Sequence, residues 1–299
     1  MPIDEDKIEQ LLSHTESFMN HVYWVQQEFP IQPSKNHCGV AINFNDINER
    51  RYDFLSELQK TVTSWVYSNA VKNRIFQERL ANSSDLGNAS EHLSSLARRK
   101  FRTGYPQGQF GELLLFNFIQ YFFKAPPLLR KMPLATSSSH ERFGADAIHY
   151  CKNETQNIII LGESKCYKSK YKFATAFKVS LSSLVDAFNS LDSELDLYTY
   201  DDFIDESLQD VAKSYKDGQL NNVRYELVCL IAYNETRSLA LESEDQIKSE
   251  IMQIITDRCT NIEAELFEGF KHGVLNRMNY ILFPIWDLDK LLSDFDSGR

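Results

Sequence analysis

The sequence lacks the cysteine and histidine spacings that bind structural metals. Its five cysteines form no Cys-x-x-Cys pair, and any disulfide scheme leaves one unpaired: Cys38, Cys151, Cys166, Cys229 and Cys259. The seven histidines show no metal-binding spacing either. We therefore expect reduced thiols and no structural zinc in this chain.

Three further absences narrow the class of function. The sequence has no apolar run long enough to span a bilayer, and its charged residues 1–6 do not have the pattern of a signal peptide. It also has no Gly-rich phosphate loop of the Walker type, so we do not expect this chain to hydrolyse ATP. These absences predict a cytoplasmic protein with no membrane partner.

Basic residues are fewer than acidic ones: the chain has 32 Lys and Arg residues and 42 Asp and Glu residues, which gives a net charge of −10. Nucleic-acid binding gains mainly from neutralising phosphates, so an acidic chain must do this with local patches. Two such patches occur in the sequence: Arg98, Arg99, Lys100 and Arg102, and then Lys165, Lys168, Lys170 and Lys172. Each patch is interpreted either as a nucleic-acid contact or as a solvated loop and helix end.

An acidic segment follows the second patch. Nine acids and no basic residue lie between Lys178 and Lys213, and the acids span residues 186–210. Most segments of this kind are solvated surface. A sharper hypothesis is that this segment docks a basic partner or shields a neighbouring site until activation.

The motif that carries chemistry is a pair of carboxylates on two neighbouring predicted strands. Asp146 begins one strand, and Glu163-Ser164-Lys165 ends the next, after the apolar residues 158–161. Alternation along a strand places Glu163 and Lys165 on one face, and a hairpin would bring Asp146 alongside them. Two carboxylates beside an ammonium suit Mg²⁺-dependent phosphodiester hydrolysis, because this hard cation prefers oxygen ligands and lowers the pKa of bound water. The alternative is a surface Glu and Lys at a strand end.

A third acid lies in a predicted helix. Residues 110–123 are apolar nearly all round, with Glu112 as their only charged residue, so they predict a buried helix. Pro106 and Gly108 suit its start, and prolines 126 and 127 suit its end. Glu112 either favours the helix dipole from the first turn or belongs to the site.

This order of acids resembles the PD-(D/E)XK nuclease superfamily, which has the restriction-endonuclease-like fold. The resemblance covers residues 98–233 and implies an α/β (α+β) fold, with a mixed central sheet flanked by helices. It implies that Asp146 and Glu163 bind Mg²⁺, with Mn²⁺ as an alternative, together with the backbone carbonyl of Ser164. By the same resemblance Lys165 is the catalytic lysine and Glu112 the helix acid. One departure from the pattern is that no proline precedes Asp146.

A narrower resemblance rests on three phrases: Phe110-Gly111-Glu112-Leu113, Arg142-Phe143-Gly144-Ala145-Asp146 and Leu161-Gly162-Glu163-Ser164-Lys165-Cys166-Tyr167. They are similar to the nuclease subunit of the Hachiman anti-phage defence system. That resemblance implies a bacterial effector that cleaves DNA and is held by a partner helicase. The choice of DNA over RNA follows from it alone.

The polar, turn-rich residues 82–90 indicate a boundary between two regions. We predict an N-terminal accessory region at residues 1–88, for partner contact or for packing on the core, and a nuclease-like domain at residues 89–299. Helices are expected at residues 4–18, 48–80, 110–123 and 173–191, and after a capping box of Ser243 and Gln246. Strands are expected at residues 22–25, 40–44, 223–233 and 280–285.

Three functions from different classes remain open. The first is a metal-dependent DNase, and the second is a catalytically silent nuclease-fold subunit that binds nucleic acid or a protein. The third is an α+β interaction protein in which Glu-Ser-Lys is coincidental, which the acidic net charge favours. The presence of Asp146, Glu163 and Lys165 together favours the first, because binding alone needs no such trio.

Overall fold

The computed structural model describes residues 5–13, 15–101, 106–130, 145–168, 173–198 and 204–298. Its helices are α1 (Glu5–Leu11), α2 (Glu16–Met19), α3 (Arg51–Lys60), α4 (Val62–Val66), α5 (Asn69–Ser83), α6 (Leu86–Arg98), α7 (Pro106–Phe123), α8 (Phe173–Tyr198), α9 (Gln209–Lys216), α10 (Glu244–Thr260), α11 (His272–Leu275) and α12 (Leu288–Ser297). Its strands are β1 (Val22–Glu28), β2 (Asn36–Ile42), β3 (Phe44–Asn45), β4 (Asn48–Glu49), β5 (Pro127–Leu129), β6 (Ala147–Lys152), β7 (Asn157–Tyr167), β8 (Val223–Glu235) and β9 (Met278–Trp286). Short 3₁₀ turns occur at Glu206–Leu208 and Ala264–Phe267.

Within the described residues, seven strands form one sheet in the order β1-β2-β9-β8-β7-β6-β5, and β3 pairs separately with β4. Strands β2, β9, β8 and β7 run parallel to one another. The outer strands β1, β6 and β5 pair antiparallel with their neighbours. The mixed central sheet flanked by helices, predicted from the sequence, is confirmed.

Helices cover both faces of the sheet, and the side-chain alternation of β8 shows how. Val228 and Leu230 pack in one core with residues of α3, α7 and α12. Cys229 and Ile231 point the other way and pack with residues of α8 and α10. Strands buried on both faces are apolar throughout rather than alternating, which explains the continuous apolar runs in β7 and β8.

The predicted buried helix at residues 110–123 is confirmed as α7, which begins earlier, at Pro106. It lies very close to β7. A Cβ atom added at Gly162 would be 2.9 Å from side-chain carbons of both Leu115 and Ile119. Glycine at this position therefore lets α7 pack directly on β7, just before the strand reaches its polar end.

Other predicted elements are also confirmed: strands β1, β2, β8 and β9, and helices α8 and α10. The capping box of α10 forms only in part. Ser243 Oγ accepts a hydrogen bond from the Gln246 backbone N–H at 3.3 Å, but the Gln246 side chain donates to Glu250. No helix in the described part of the chain has both the length and the apolar character that crossing a bilayer requires.

Two predicted helices are interrupted. Residues 4–18 form two short helices, α1 and α2. The single helix expected at residues 48–80 is wrong, because β4 precedes α3, α4 and α5. One break lies at Thr61, whose Oγ1 donates to the Leu58 carbonyl at 2.7 Å and accepts from Asn117 of α7 at 2.9 Å. Ser68 then caps α5 by accepting from the Val71 N–H at 3.3 Å.

The expected linker at residues 82–90 is instead the turn of a helical hairpin, α5–α6. Ser84 adopts the left-handed conformation, with φ of 52°, and Asp85 accepts from the backbone N–H groups of Gly87 at 2.8 Å and Asn88 at 3.2 Å. Asp and Ser favour such caps as much as loops, so the composition was misleading. The division at residue 88 stays a prediction, and strands β1 and β2 of the proposed accessory region belong to the central sheet.

Two buried histidines should make the fold sensitive to acid. His37 Nε2 donates to the Pro33 carbonyl at 3.0 Å, and His149 Nδ1 donates to the Ala125 carbonyl at 2.7 Å. Burial lowers the pKa of each to about 4. In the unfolded chain each binds a proton below pH ~6.5, so the unfolded state binds more protons between pH ~4 and ~6.5. The contribution of these two histidines to folding stability should therefore fall as pH drops through that window.

At pH 5 the expected loss is about 2 kcal/mol per buried histidine relative to pH 7. Urea unfolding at the two pH values measures the effect of each substitution. His149→Gln should reduce the loss of unfolding free energy between pH 7 and pH 5 by about 2 kcal/mol relative to the unmodified chain, whereas His272→Gln, at an exposed position, should leave it unchanged. Equal pH dependence in all three proteins would contradict the prediction.

Candidate functional site

The pairing register of β6 and β7 brings the two predicted strand acids together. Ala147 pairs with Gly162, so Asp146, one residue earlier, lies beside Glu163. Ser164 holds Asp146 in place, because its backbone N–H and its hydroxyl donate to Asp146 Oδ2 at 2.8 and 3.0 Å. The hairpin expected from the sequence is present, and it joins acids that are 17 positions apart.

Glu163 and Lys165 share the face of β7 that packs against α8. Lys165 Nζ donates to Glu163 Oε1 at 2.5 Å. The Glu163 carboxylate also interacts with Ser183 of α8. Glu163 is 5% exposed, whereas the Lys165 side chain is 27% exposed. Lys165 is therefore partly exposed to solvent, while the carboxylate to which it donates is buried.

Burial and repulsion both act on the buried acid. Burial and, secondly, the negative charge of Asp146 raise the pKa of Glu163 to about 7, although Lys165 and Ser183 oppose this. Burial lowers the pKa of Lys165, but the charges of Glu163 and Asp146 outweigh that effect and leave this pKa raised. Lys165 is therefore cationic at neutral pH, and its charge interacts with both carboxylates.

Asp146 and Lys165 border an open cavity of about 510 Å³ at the carboxyl end of β7, whereas the buried Glu163 is not among the residues that line it. Four of the predicted site residues line it: Glu112, Asp146, Ser164 and Lys165. Its other lining residues are Pro106, Gln107 and Gly108 from the start of α7, and Cys166, Tyr167 and Lys168 from the end of β7. A volume of this order is typical of ligand pockets, and the polar side chains converge from one helix and two strands.

A family model for HamA matches residues 17–298, which is most of the chain. The chain belongs to the HamA family. Membership indicates a component of the Hachiman anti-phage defence system, which has more than one subunit. No curated protein matches the chain. The HamA match includes the whole central sheet and every residue that lines the cavity.

The HamA chain positions its site with residues that the sequence interpretation missed. Gln107 of α7 donates a side-chain hydrogen bond to the Cys166 carbonyl, which ties the start of the helix to the end of β7. A Cβ atom added at Gly111 would be 3.1 Å from Ser164 Oγ, so glycine lets the helix approach the motif. Gln109 is 5% exposed, and its side-chain amide has no hydrogen-bond partner within the described part of the chain. Gln109 is not among the residues that line the cavity.

The oxygen donors of the site suit a hard divalent cation. Asp146 and Glu163 are two carboxylates beside a backbone carbonyl, and such all-oxygen sets favour Mg²⁺ or Mn²⁺ over zinc. Burial and the nearby charge of Asp146 both disfavour the ionised form of Glu163, which Lys165 compensates only in part. A bound cation would supply the remaining compensation. Among the described residues, however, no three His, Cys, Asp or Glu side chains group closely enough to hold a metal.

The predicted basic patches are only partly described. Arg98 ends α6, Arg99 and Lys100 follow it, and Lys168 forms an exposed ion pair with Asp289 of α12 at 2.7 Å. Arg102, Lys170 and Lys172 lie outside the described residues. Exposed pairs of this kind add little stability, so the Lys168 pair is weak evidence for a fixed role.

The acidic segment 186–210 divides in the same way. Asp201 and Asp202 lie outside the described residues. Asp186 is exposed on α8, whereas Asp205 is buried and accepts from the Ser207 N–H at 3.2 Å. Asp205 therefore has a local structural role that charge counting did not indicate. The docking and shielding hypotheses for the segment stay predictions.

Proposed function

We propose that this chain is a metal-dependent DNase of the PD-(D/E)XK type, acting in the cytoplasm as the effector of the Hachiman system under the control of a partner helicase. The strongest support is one geometric observation. Asp146 lies beside Glu163 in the β6–β7 register, and Glu163 in turn bonds Lys165 at the mouth of an open cavity. The resemblance of the acid order to nucleases supports the reaction class, and the HamA family supports the defence role.

Asp146, Glu163 and the Ser164 carbonyl would hold the cation. When bound, Mg²⁺ would lower the pKa of a water molecule and offset the charge that develops at phosphorus. Lys165 keeps its proton, because the neighbouring carboxylates raise its pKa. It therefore acts as a hydrogen-bond donor that orients water or a phosphate oxygen, not as a general base.

Glu112 faces the same cavity from α7. In this proposal it completes or orients the ligands around the cation from the opposite wall. Ser164 fixes one oxygen of Asp146 with two hydrogen bonds, so this carboxylate has little freedom to rotate. Such fixed orientation is what a precise attack on phosphorus requires.

The test is cleavage of linear and supercoiled plasmid by the purified full chain with Mg²⁺. Glu163→Ala and Lys165→Ala should each remove cleavage while circular dichroism shows an intact fold. The matched controls are Lys152→Ala and Glu154→Ala, at the opposite end of the same β6–β7 hairpin. Both controls should cleave like the unmodified chain.

An effector that is active only together with its partner would not cleave alone, so the assay is repeated with the helicase partner and DNA if the isolated chain shows no cleavage. Cleavage that appears only then, and that Lys165→Ala removes, would support the effector role. Absence of cleavage in the complex as well would contradict the proposed enzymatic activity.

The second candidate function is a catalytically silent subunit of the same fold. The absence of a grouped set of three metal-binding side chains among the described residues favours it. Calorimetric titration with Mg²⁺ distinguishes this silent subunit from a protein with no metal site. If the unmodified chain binds Mg²⁺ and Glu163→Ala does not, the metal site is present. Binding without product in the complete complex would establish the silent subunit.

A further inference from the structure

The α5–α6 hairpin carries most of its positive charge at one end. Residues 69–100 contain six Lys and Arg residues and three acids, a net charge of +3 in a chain whose total is −10. Five of the six are Lys72, Arg74, Arg98, Arg99 and Lys100, which lie near the start of α5 and the end of α6. Two of the three acids, Asp85 and Glu91, lie near the turn.

The antiparallel packing of the hairpin brings the five cations together. A two-residue turn joins the helices, and Arg79 Nε donates to Asn88 Oδ1 at 2.7 Å across them. Because both helices rise equally per residue, Asn69 lies at the level of Arg98. The first two turns of α5 and the residues that follow α6 therefore share one end of the hairpin.

That end lies next to the candidate site. Lys72 Nζ donates to Ser64 Oγ at 2.9 Å, and Arg130 Nε donates to the carbonyl of the same Ser64 at 3.3 Å. Arg130 follows β5 directly, and Leu129 of β5 pairs with Ile148. In this antiparallel register Arg130 lies near the level of Ala147, next to Asp146.

A second path of contacts leads from the hairpin to α7. The Phe101 ring, just beyond Lys100, packs 5.4 Å from Trp65 and 6.0 Å from Phe295. Phe295 in turn packs 5.3 Å from Phe110 of α7. One aromatic layer thus separates the basic end of the hairpin from α7, whose first residues line the cavity.

The cations at this end are poorly compensated. Among the described residues the side chains of Arg74, Arg98, Arg99 and Lys100 have no ion-pair partner. Arg130 is 6% exposed, and its Nη1 has no hydrogen-bond partner within the described part of the chain. Asp205 is the acid that favours the charged form of both Arg130 and Lys72. Positive charge of this kind attracts an anion, and a polyanion best of all.

We propose that Arg74, Arg98, Arg99 and Lys100, here called the hairpin base, bind the phosphate backbone of the nucleic acid whose reacting phosphodiester enters the cavity. Lys72 and Arg130 lie behind them and add to the same positive field. The proposal rests on the proposed function for the choice of DNA, and it places the main binding surface on the β5 side of the site. Lys168, on the other side, already pairs with Asp289.

The test measures binding apart from cleavage. The full chain is mixed with a fluorescein-labelled 30-base-pair DNA duplex in EDTA, and anisotropy gives Kd between 50 and 200 mM KCl. Arg98→Glu combined with Arg99→Glu should raise Kd about tenfold or more and flatten its salt dependence, because phosphate contacts release counterions. Arg98→Lys with Arg99→Lys should keep near-normal binding and shows that the positions tolerate change.

The matched control reverses two exposed lysines near the amino ends of the central strands β8 and β9. Lys213→Glu with Lys271→Glu changes the net charge equally, and these positions precede β8 and β9. Kd should change less than twofold in the control. An equal effect of both charge reversals would overturn the proposal, because it would show only a general charge effect.

Cleavage assays with Mg²⁺ distinguish this proposal from the proposed function. If DNA binding depends on the hairpin base but no cleavage occurs in any assay, the proposed nuclease activity is overturned and the proposed binding surface is supported. Cleavage by an Arg98→Glu, Arg99→Glu chain with unchanged Kd would overturn the surface and leave the nuclease standing. No DNA binding by the unmodified chain would overturn the surface as well.

Discussion

Glu163→Gln should unfold at a higher urea concentration than the unmodified chain at pH 8, while losing about 10³-fold of its metal-dependent cleavage. Burial and the charge of Asp146 raise the pKa of Glu163 to about 7, even with Lys165 beside it. The folded state therefore binds a proton more tightly than the unfolded chain. The contribution of Glu163 to the free energy of unfolding should therefore fall as pH rises from ~4.5 to ~7, by up to about 3 kcal/mol.

The amide removes that loss, so the gain in unfolding free energy of the variant over the unmodified chain should be larger at pH 8 than at pH 5 without metal. Glu154→Gln, at the exposed β6–β7 turn, is the matched control and should behave like the unmodified chain in both assays. A variant that is less stable at pH 8 would show that the bond from Lys165 outweighs the burial of the acid.

Glu235→Ala should reduce the free energy of unfolding by about 3 kcal/mol, because it breaks a buried ion pair and leaves the other charge behind. The Glu235 carboxylate accepts from Arg258 Nε at 3.0 Å and Nη2 at 2.7 Å. It also accepts from the backbone N–H groups of Thr236 and Arg237 at 2.7 and 2.9 Å. Burial raises the pKa of Glu235, but these hydrogen bonds outweigh burial and lower it.

Urea unfolding at pH 7 measures the effect, and Glu235→Gln should lose less because an amide oxygen still accepts. Asp257→Asn is the matched control, since Asp257 pairs with Arg237 at an exposed position on α10. Its unfolding curve should not shift. A Glu235→Ala curve that overlays the control would mean that the residue at the end of β8 is dispensable for folding.

The site pair was predictable because it depends on local structure. Asp146 and Glu163 lie on consecutive strands joined by a short turn, and alternation fixes which side chains share a face. The same kind of reasoning identified α7. A segment that is apolar nearly all round is neither a solvated loop nor a helix with one face in solvent, so it had to be a buried helix. Pattern and chain order were sufficient for both.

Contacts between distant segments were not predictable. The bond from Gln107 to the Cys166 carbonyl joins residues 59 positions apart, and it depends on how α7 packs on β7. The break at Thr61 depends on Asn117, a partner 56 positions away. The parallel pairing of Cys38 with Ile281 placed β1 and β2 in the central sheet, although their sequence indicates only strands. Propensity and periodicity contain no information on such partners.

The place of β9 in the sheet has a consequence for biosynthesis. β2 pairs in parallel with β9, so the strands at residues 22–42 leave the ribosome long before the strand that receives them. Until residues 278–286 emerge, β2 has an unpaired edge and α7 lacks the Phe295 contact that supports its first turns. A truncated translation product would contain both carboxylates of the candidate site on an incomplete sheet. Folding of the central sheet during synthesis therefore cannot be completed before the ribosome has passed β9.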